Sequence, residues 1–358
     1  MQAGEVPQQM AGTDQQSEIG VAVVGYGSAS RVFHIPLLQT VPGLALRAIV
    51  TSRPNAVRAA LPQVMVLPDL AAACADAAID LVVLPTPNAT HAALAAQALA
   101  AGKHVVVDKP FTVTVAEARG LVELAQARGR IVSVFQNRRW DADFLTLRQV
   151  IESDAVGEPV QLESRFDRFR PQVPDRWRDR AGPGSGLWYD LGPHLVDQAL
   201  QLFGPPQAIF LDLATQRDGA TTDDRFHALL RYDRLRVVLH ASTLAAAATP
   251  RFELHGTRGS YLKYGLDAQE EALKAGGTPG APGWGVDPRP GTLTTASGSA
   301  SVLNLAGDYR QYYLALRDAI RGIGPNPVSP SEALAVMTVI ERGRQSAEAR
   351  RELPLDLD

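Results

Sequence analysis

Ile19-Gly20-Val21-Ala22-Val23-Val24 runs without a break into Gly25-Tyr26-Gly27-Ser28-Ala29-Ser30. An apolar run of this kind suits a strand covered on both faces of a parallel sheet. The turn that follows reads G-x-G-x-x-S, one residue away from the G-x-G-x-x-G dinucleotide fingerprint. Gly25 permits a tight strand-to-helix turn. Gly27 lets the backbone approach a pyrophosphate, which the next helix N-terminus attracts. Ser30 stands in place of the third glycine and is small enough for close helix packing. A lone glycine pattern is weak, but this one follows the first strand and opens a βαβ unit, which is the context that gives it meaning. Gly25, Tyr26, Gly27, Ser28 and Ser30 are therefore expected to contact a dinucleotide.

Outward from this turn, apolar runs alternate with Ala/Leu-rich stretches. The runs are Ile19–Val24, Leu44–Val50, Val64–Val66, Ile79–Leu84, His104–Val107 and Ile131–Val134, with helices expected at Thr90–Ala101 and Val115–Arg128. Alternation at this spacing predicts an α/β fold, a Rossmann-type doubly wound parallel sheet over residues 19–138. After Arg139 the texture changes. A helix at Asp143–Ser153 precedes strands at Val160–Arg170, Ala208–Thr215, Arg225–Tyr232, Leu235–Thr243 and Phe252–His255. Tyr232-Asp233-Arg234-Leu235 reads as a hairpin turn. Consecutive alternating strands predict a C-terminal α+β domain, residues 139–358, with a large, open, mainly antiparallel sheet. Gly276–Gly298 is rich in Gly, Pro, Thr and Ser and reads as a long loop. A last helix is expected over 331–350, started by Pro330, Ser331 and Glu332, and placed to pack back on the first domain.

Composition narrows the function. The chain has 358 residues, which favours two domains. A net charge of -3 gives no electrostatic reason for a nucleic-acid partner. No apolar run is long enough for a membrane span. Residues 1–18 are polar and Gln-rich, with neither basic nor apolar signal regions, and are expected to be a disordered lead-in. Cys74 is the one cysteine, so neither an intrachain disulfide nor a cysteine-built metal site is expected. A cytoplasmic location follows as the expectation.

The second strand ends in Thr51-Ser52-Arg53, where NAD-binding chains usually carry an acid for the ribose 2′-hydroxyl. Hydroxyls and a guanidinium suit a 2′-phosphate, with Arg58 one turn on, so NADP is expected over NAD. Ligands of such sheets lie beyond the carboxyl ends of the strands. That places Thr86, Pro87, Asn88 and His91 after the fourth strand, and Asp108, Lys109 and Pro110 after the fifth, at the same crevice as Asn137. Helix capping by Asn88 or Thr90 competes with cofactor contact, and a surface charge competes with a functional Lys109. In Gly186-x-x-Tyr189-Asp190-Leu191-Gly192-x-His194-x-x-Asp197, Asp190, His194 and Asp197 share a helix face. A carboxylate beside a histidine is a proton-transfer arrangement. No further ligand cluster accompanies it, so no metal is expected. A capping Asp and a buried structural His remain the competing reading from spacing alone.

These motifs together resemble the glucose–fructose oxidoreductase/inositol dehydrogenase/rhizopine catabolism family, Gfo/Idh/MocA. The likeness is closest to its NADP-dependent scyllo-inositol dehydrogenase-like branch. It is carried by Val32-Phe33-His34-Ile35-Pro36-Leu37-Leu38, Asp108-Lys109-Pro110, Asn137-Arg138-Arg139-Trp140-Asp141, Arg176-Trp177-Arg178, Tyr189-Asp190-Leu191-Gly192, Tyr264-Gly265-Leu266-Asp267 and Asp308-Tyr309. The resemblance implies that Lys109 contacts the nicotinamide ribose and the substrate hydroxyl, that His194 exchanges the proton, and that Asp190 binds substrate and supports His194. It implies hydride transfer between NADP and a CH–OH carbon of a polyol, cyclitol or sugar, in a homo-oligomer. Arg138, Trp140, Arg165, Trp177 and Tyr189 are the expected substrate contacts, with core packing or surface ion pairing the alternative for each. Asp108 departs from the family's usual Glu. A reductase of another carbonyl or imine, and a non-catalytic NADP sensor, are the rival functions. Retention of Lys109 and His194 favours an enzyme.

Overall fold

The computed structural model describes residues 18–357. The expected lead-in therefore lies outside the described residues, except for Glu18, whose carboxylate accepts from Arg47. The first half builds β1 (Ile19–Val24), α1 (Ile35–Thr40), β2 (Leu44–Val50), α2 (Pro54–Ala60), β3 (Met65–Leu67), α3 (Leu70–Ala75), β4 (Leu81–Leu84), α4 (His91–Ala100), β5 (His104–Val107), α5 (Val115–Ala127) and β6 (Val132–Val134). Its strands lie parallel in the order β3-β2-β1-β4-β5-β6. The order reverses between β1 and β4, and a ligand crevice opens at such a reversal. Val21, Ala22, Val23, Leu81, Val82 and Val83 are completely buried, which explains their unbroken apolar runs.

The second half builds α6 (Ala142–Glu152), β7 (Pro159–Arg165), α7 (Leu187–Phe203), β8 (Ala208–Ala214), β9 (Arg225–Arg231), β10 (Arg236–Ser242), β11 (Pro250–Gly256), β12 (Gly259–Tyr264), α8 (Gln269–Lys274), β13 (Gly291–Thr295), β14 (Gly298–Val302), α9 (Arg310–Ile320), α10 (Pro330–Ala349) and β15 (Leu353–Pro354). Their strands form one sheet in the order β14-β13-β12-β11-β7-β10-β9-β8-β15, antiparallel except for β7 against β10. The Tyr232–Leu235 turn joins β9 to β10, with Tyr232 N–H donating to Leu235 O. The Gly276–Gly298 stretch is not wholly loop: it contains β13 and the turn into β14. These edge strands are rich in Thr, Ser and Ala and mostly exposed, so they carry no apolar alternation.

Two helices fix the frame. In α7, Trp188 donates its indole N–H to Ile340 O of α10. A Cβ on Gly192 would stand 2.8 Å from Trp188 Cε3 and 3.1 Å from Ile340 Cδ1, so glycine there lets the two helices meet. The cap of α10 is Ser329, one residue before the Pro330 start read from sequence, in a reciprocal box with Glu332. Helix α10 packs on β8 and α7 of the second sheet and on α5 and β6 of the first.

Candidate active site

The glycine turn sits at the β1/β4 reversal. Gly25 adopts φ 94°, a conformation that favours glycine, and its N–H reaches Val50 O at 2.7 Å. A Cβ on Gly27 would meet nothing within 4 Å, so this face is open for a close-approaching group. The geometry fits a pyrophosphate on the unpaired N–H groups of a helix start. Ser30 is fully buried and its hydroxyl donates to Gly25 O, so it closes the turn and does not face a ligand.

Arg53 lies at the end of β2 as its position in the sequence requires. Its Nη2 donates to Tyr26 O at 2.5 Å, which orients an otherwise exposed guanidinium at the glycine turn. Arg31, which sequence reading missed, stands 5.9 Å from the Tyr26 ring. The Thr51 hydroxyl accepts from Arg53 N–H, while Arg58 is exposed and reaches Asn55. The β4 end is more occupied. His91 is fully buried, with its two ring nitrogens 2.9 Å from Thr86 O and 2.9 Å from Pro110 O, so it ties two strand ends together. Thr86 pairs with Thr90. Asn88 donates to Gly184 O at 2.7 Å, joining β4 to the loop before α7. Asn88 and His91 thus each join separate segments of the chain, and both ring nitrogens of His91 are engaged in doing so.

Beside the turn lies a cavity of about 230 Å³, lined among others by Ser28, Asp108, Lys109, Asn137, Arg138, Asp190 and His194. Residues from four distant segments thus converge. Lys109 Nζ donates to Asp190 O at 2.6 Å and to Asp190 Oδ1 at 3.1 Å. Arg178 Nε is 3.5 Å from the same Oδ1. Burial alone would raise the Asp190 carboxyl, but Lys109 and Arg178 outweigh it and hold the group far below the ordinary carboxylate range. His194 is one helical turn on and buried. Burial first, and then Lys109 and Arg138, push its imidazole well below its ordinary value, so it is neutral at pH 7. Its Nδ1 has no hydrogen-bond partner among the described residues. Asp108 accepts from Lys109 N–H, and its Oδ2 lies 3.9 Å from His34 Nε2. Burial opposes the Asp108 charge, yet His34 and Lys109 bring the carboxyl down to about 2.

Other expected contacts go elsewhere. Asp197 does not line the cavity and forms a bidentate pair with Arg139, at 2.6 and 2.9 Å. Trp140 packs edge-on against Tyr312. The Tyr189 hydroxyl donates to Val113 O. Arg165 pairs with Glu163 on the open face of the sheet, because Leu162, Ser164 and Phe166 take the inward positions. Trp177 sits under Arg178 without lining the cavity. Sequence reading missed Arg168, Arg170, Glu270 and Lys274, all of which line it.

Residues 19–136 match the oxidoreductase family NAD-binding Rossmann fold, and residues 148–357 match the oxidoreductase family C-terminal alpha/beta domain. The chain belongs to the Gfo/Idh/MocA oxidoreductase family. Among its relatives, the uncharacterized oxidoreductase YdgJ of Escherichia coli is 52% identical, over 94% of this chain and 99% of that one. The scyllo-inositol 2-dehydrogenase (NADP(+)) IolW of Bacillus subtilis is 36% identical, over 97% of this chain and 99% of that one. An oxidoreductase from Bacillus cereus has a TM-score of 0.86 at 33% identity, covering 94% and 99%. The protein is an oxidoreductase with a Rossmann domain for NAD or NADP. No helix among the described residues is long and apolar enough to cross a membrane.

Proposed function

We propose that the protein uses NADP to interconvert a CH–OH group and a carbonyl on a polyol, cyclitol or sugar. The observation that carries the reading is the meeting of Lys109, Asp190 and a neutral His194 in one cavity beside the glycine turn. A nicotinamide held at the turn supplies the hydride chemistry. The chain's own residues manage the oxygen and the proton. Lys109, anchored on Asp190, donates a hydrogen bond to the substrate oxygen and stabilises negative charge on it. His194, kept neutral, accepts the hydroxyl proton during oxidation and returns one during reduction. Arg53, oriented by Tyr26 O and with Arg31 nearby, supplies cations for a 2′-phosphate. The NADP-dependent inositol dehydrogenase relative supports both the cofactor and the substrate class. A cytoplasmic homo-oligomer joined through the open face of the second sheet completes the proposal.

The test supplies NADP or NAD with a panel of inositols and aldoses and follows reduced nicotinamide, for the wild type and for His194→Ala. Turnover with NADP that His194→Ala abolishes is the expected result. Preference for NAD overturns the Arg53 reading, and silence on every polyol despite NADPH binding overturns the substrate class.

A further inference from the structure

An arginine-rich segment contributes much of the cavity lining. Six arginines fall between residues 165 and 180: Arg165, Arg168, Arg170, Arg176, Arg178 and Arg180. Backbone bonds from Phe166 to His240 O, Arg168 to Ser242 O and Arg170 to Thr243 O carry β7 past its end, along β10. This delivers Arg168 and Arg170, and then Arg176 and Arg178, to the cavity. Lys109, Arg138 and Lys274 bring the cationic lining to seven, against the three carboxylates Asp108, Asp190 and Glu270.

Protonation does not relieve this imbalance. Asp108 and Glu270 are each brought down to about 2, and Asp190 lies lower still, so all three are ionised at pH 7. The lining then holds an excess of four positive charges in a chain whose net charge is -3. The carboxylates are also committed. Asp190 serves Lys109 and Arg178, and Glu270 serves Arg138 at 2.6 Å and Lys274 at 2.8 Å. Arg176 pairs with Asp179. Arg168 and Arg170 form no ion pair among the described residues. Arg168 lies 5.1 Å over the Phe166 ring, and burial opposes its charge.

A neutral polyol fits such a wall poorly. Its hydroxyls donate as well as accept, whereas guanidinium and ammonium groups only donate. An anionic oxygen group accepts from several donors at once and matches an arginine fork. Arg53, the cation placed for the cofactor's 2′-phosphate, is not part of this lining, and of the turn only Ser28 and Ala29 reach it, so the surplus arginines are a separate group. We propose that the substrate carries a carboxylate or phosphate close to the carbon bearing the reacting hydroxyl, held by Arg168 and Arg170. This rests on the reading of Lys109, Asp190 and His194 as the place of that hydroxyl.

The test begins with binding alone. The NADPH-saturated full chain is titrated calorimetrically with inorganic phosphate and, separately, with malonate. At least one of them binds, and Arg168→Gln weakens it by roughly tenfold or more while NADPH affinity stays within about twofold. Arg170→Gln, at an exposed position, is the second variant if Arg168→Gln fails to fold. No anion binding in the wild-type complex, or equal binding in both variants, overturns the proposal. So does a parallel fall in NADPH affinity, which would assign these arginines to the cofactor. Turnover is then compared on myo-inositol, glucuronate and glucose 6-phosphate. An acidic compound preferred by about tenfold in kcat/KM, with the preference lost in Arg168→Gln, supports the proposal. Glucuronate leading identifies a carboxylate, and glucose 6-phosphate leading identifies a phosphate. Preference for myo-inositol that Arg168→Gln leaves intact overturns the proposal. Silence on all three with anion binding weakened by Arg168→Gln supports the anion site and counts against the hydride-transfer reading.

Discussion

Arg53→Gln tests the choice of nucleotide without any knowledge of the substrate. The structure fixes one guanidinium nitrogen on Tyr26 O at 2.5 Å and leaves the rest of the fork free beside the glycine turn. A phosphate monoester carries about -1.5 to -2 charges at neutral pH. At about 4 Å, unit charges attract by about 1 kcal/mol in bulk water and about 4 kcal/mol at an effective dielectric of 20. Arg53 is exposed, so the lower end applies, giving about 2 kcal/mol for the doubly charged group. That corresponds to roughly 30-fold in affinity. Fluorescence titration of Arg53→Gln should therefore show NADPH weakened roughly 30-fold and NADH changed by less than about threefold. High salt should shrink the NADPH effect, because the pair is solvent-exposed. Equal changes for both nucleotides, or none for either, would refute the reasoning. Arg31→Gln combined with Arg53→Gln should widen the loss.

Three further outcomes follow from the geometry. Lys109→Met should cost about 100-fold or more in kcat, as expected when a hydrogen-bond donor to a developing oxyanion is lost, with NADPH binding retained; steady-state kinetics with a fluorescence control decides. Burial and neighbouring cations depress the His194 imidazole, so the acid limb of kcat/KM for oxidation lies below the ordinary imidazole value of 6.5. A pH profile that halves near 6.5 would contradict this. Asp197→Ala takes its bidentate partner from the buried Arg139, which keeps Glu332 and Pro327 O, so the loss should fall below that of a fully orphaned charge, at about 2 kcal/mol and roughly 5 °C in Tm; calorimetry showing less than about 1 °C would make the pair dispensable.

The glycine turn, the alternation of strands and helices around it, and the presence of Asp190 and His194 on one helix face were legible because each depends on local spacing. The i, i+4 relation survives any tertiary arrangement of α7, and the β1 run declares its own burial. Asp197 stays on the Asp190 stripe but lies two turns, about 10 Å, further along the helix, where Arg139 takes it. Arg165 was readable in principle. Strand alternation puts it with Glu163 and opposite Leu162 and Ser164, which directs it away from the cavity. Asn88 and His91 follow a general rule about strand ends, but their partners Gly184 and Pro110 lie on other segments. The arginine wall was hidden for the same reason: its charges face Lys109 only because β7 runs on beside β10.

Helix α10 touches both sheets, and through Trp188 and Gly192 it grips the helix that presents Asp190 and His194. Lys109 stands on the first sheet, so the three groups that handle the reacting oxygen share one stiff mounting. Arg168 and Arg170 follow β7, outside that mounting, whereas Arg178 pairs with Asp190 and belongs to it. Selection can therefore rewrite Arg168 and Arg170 to accept a different substrate while Arg178 and the proton-handling apparatus stay in place. In this scaffold, what is recognised and how it is transformed can evolve separately.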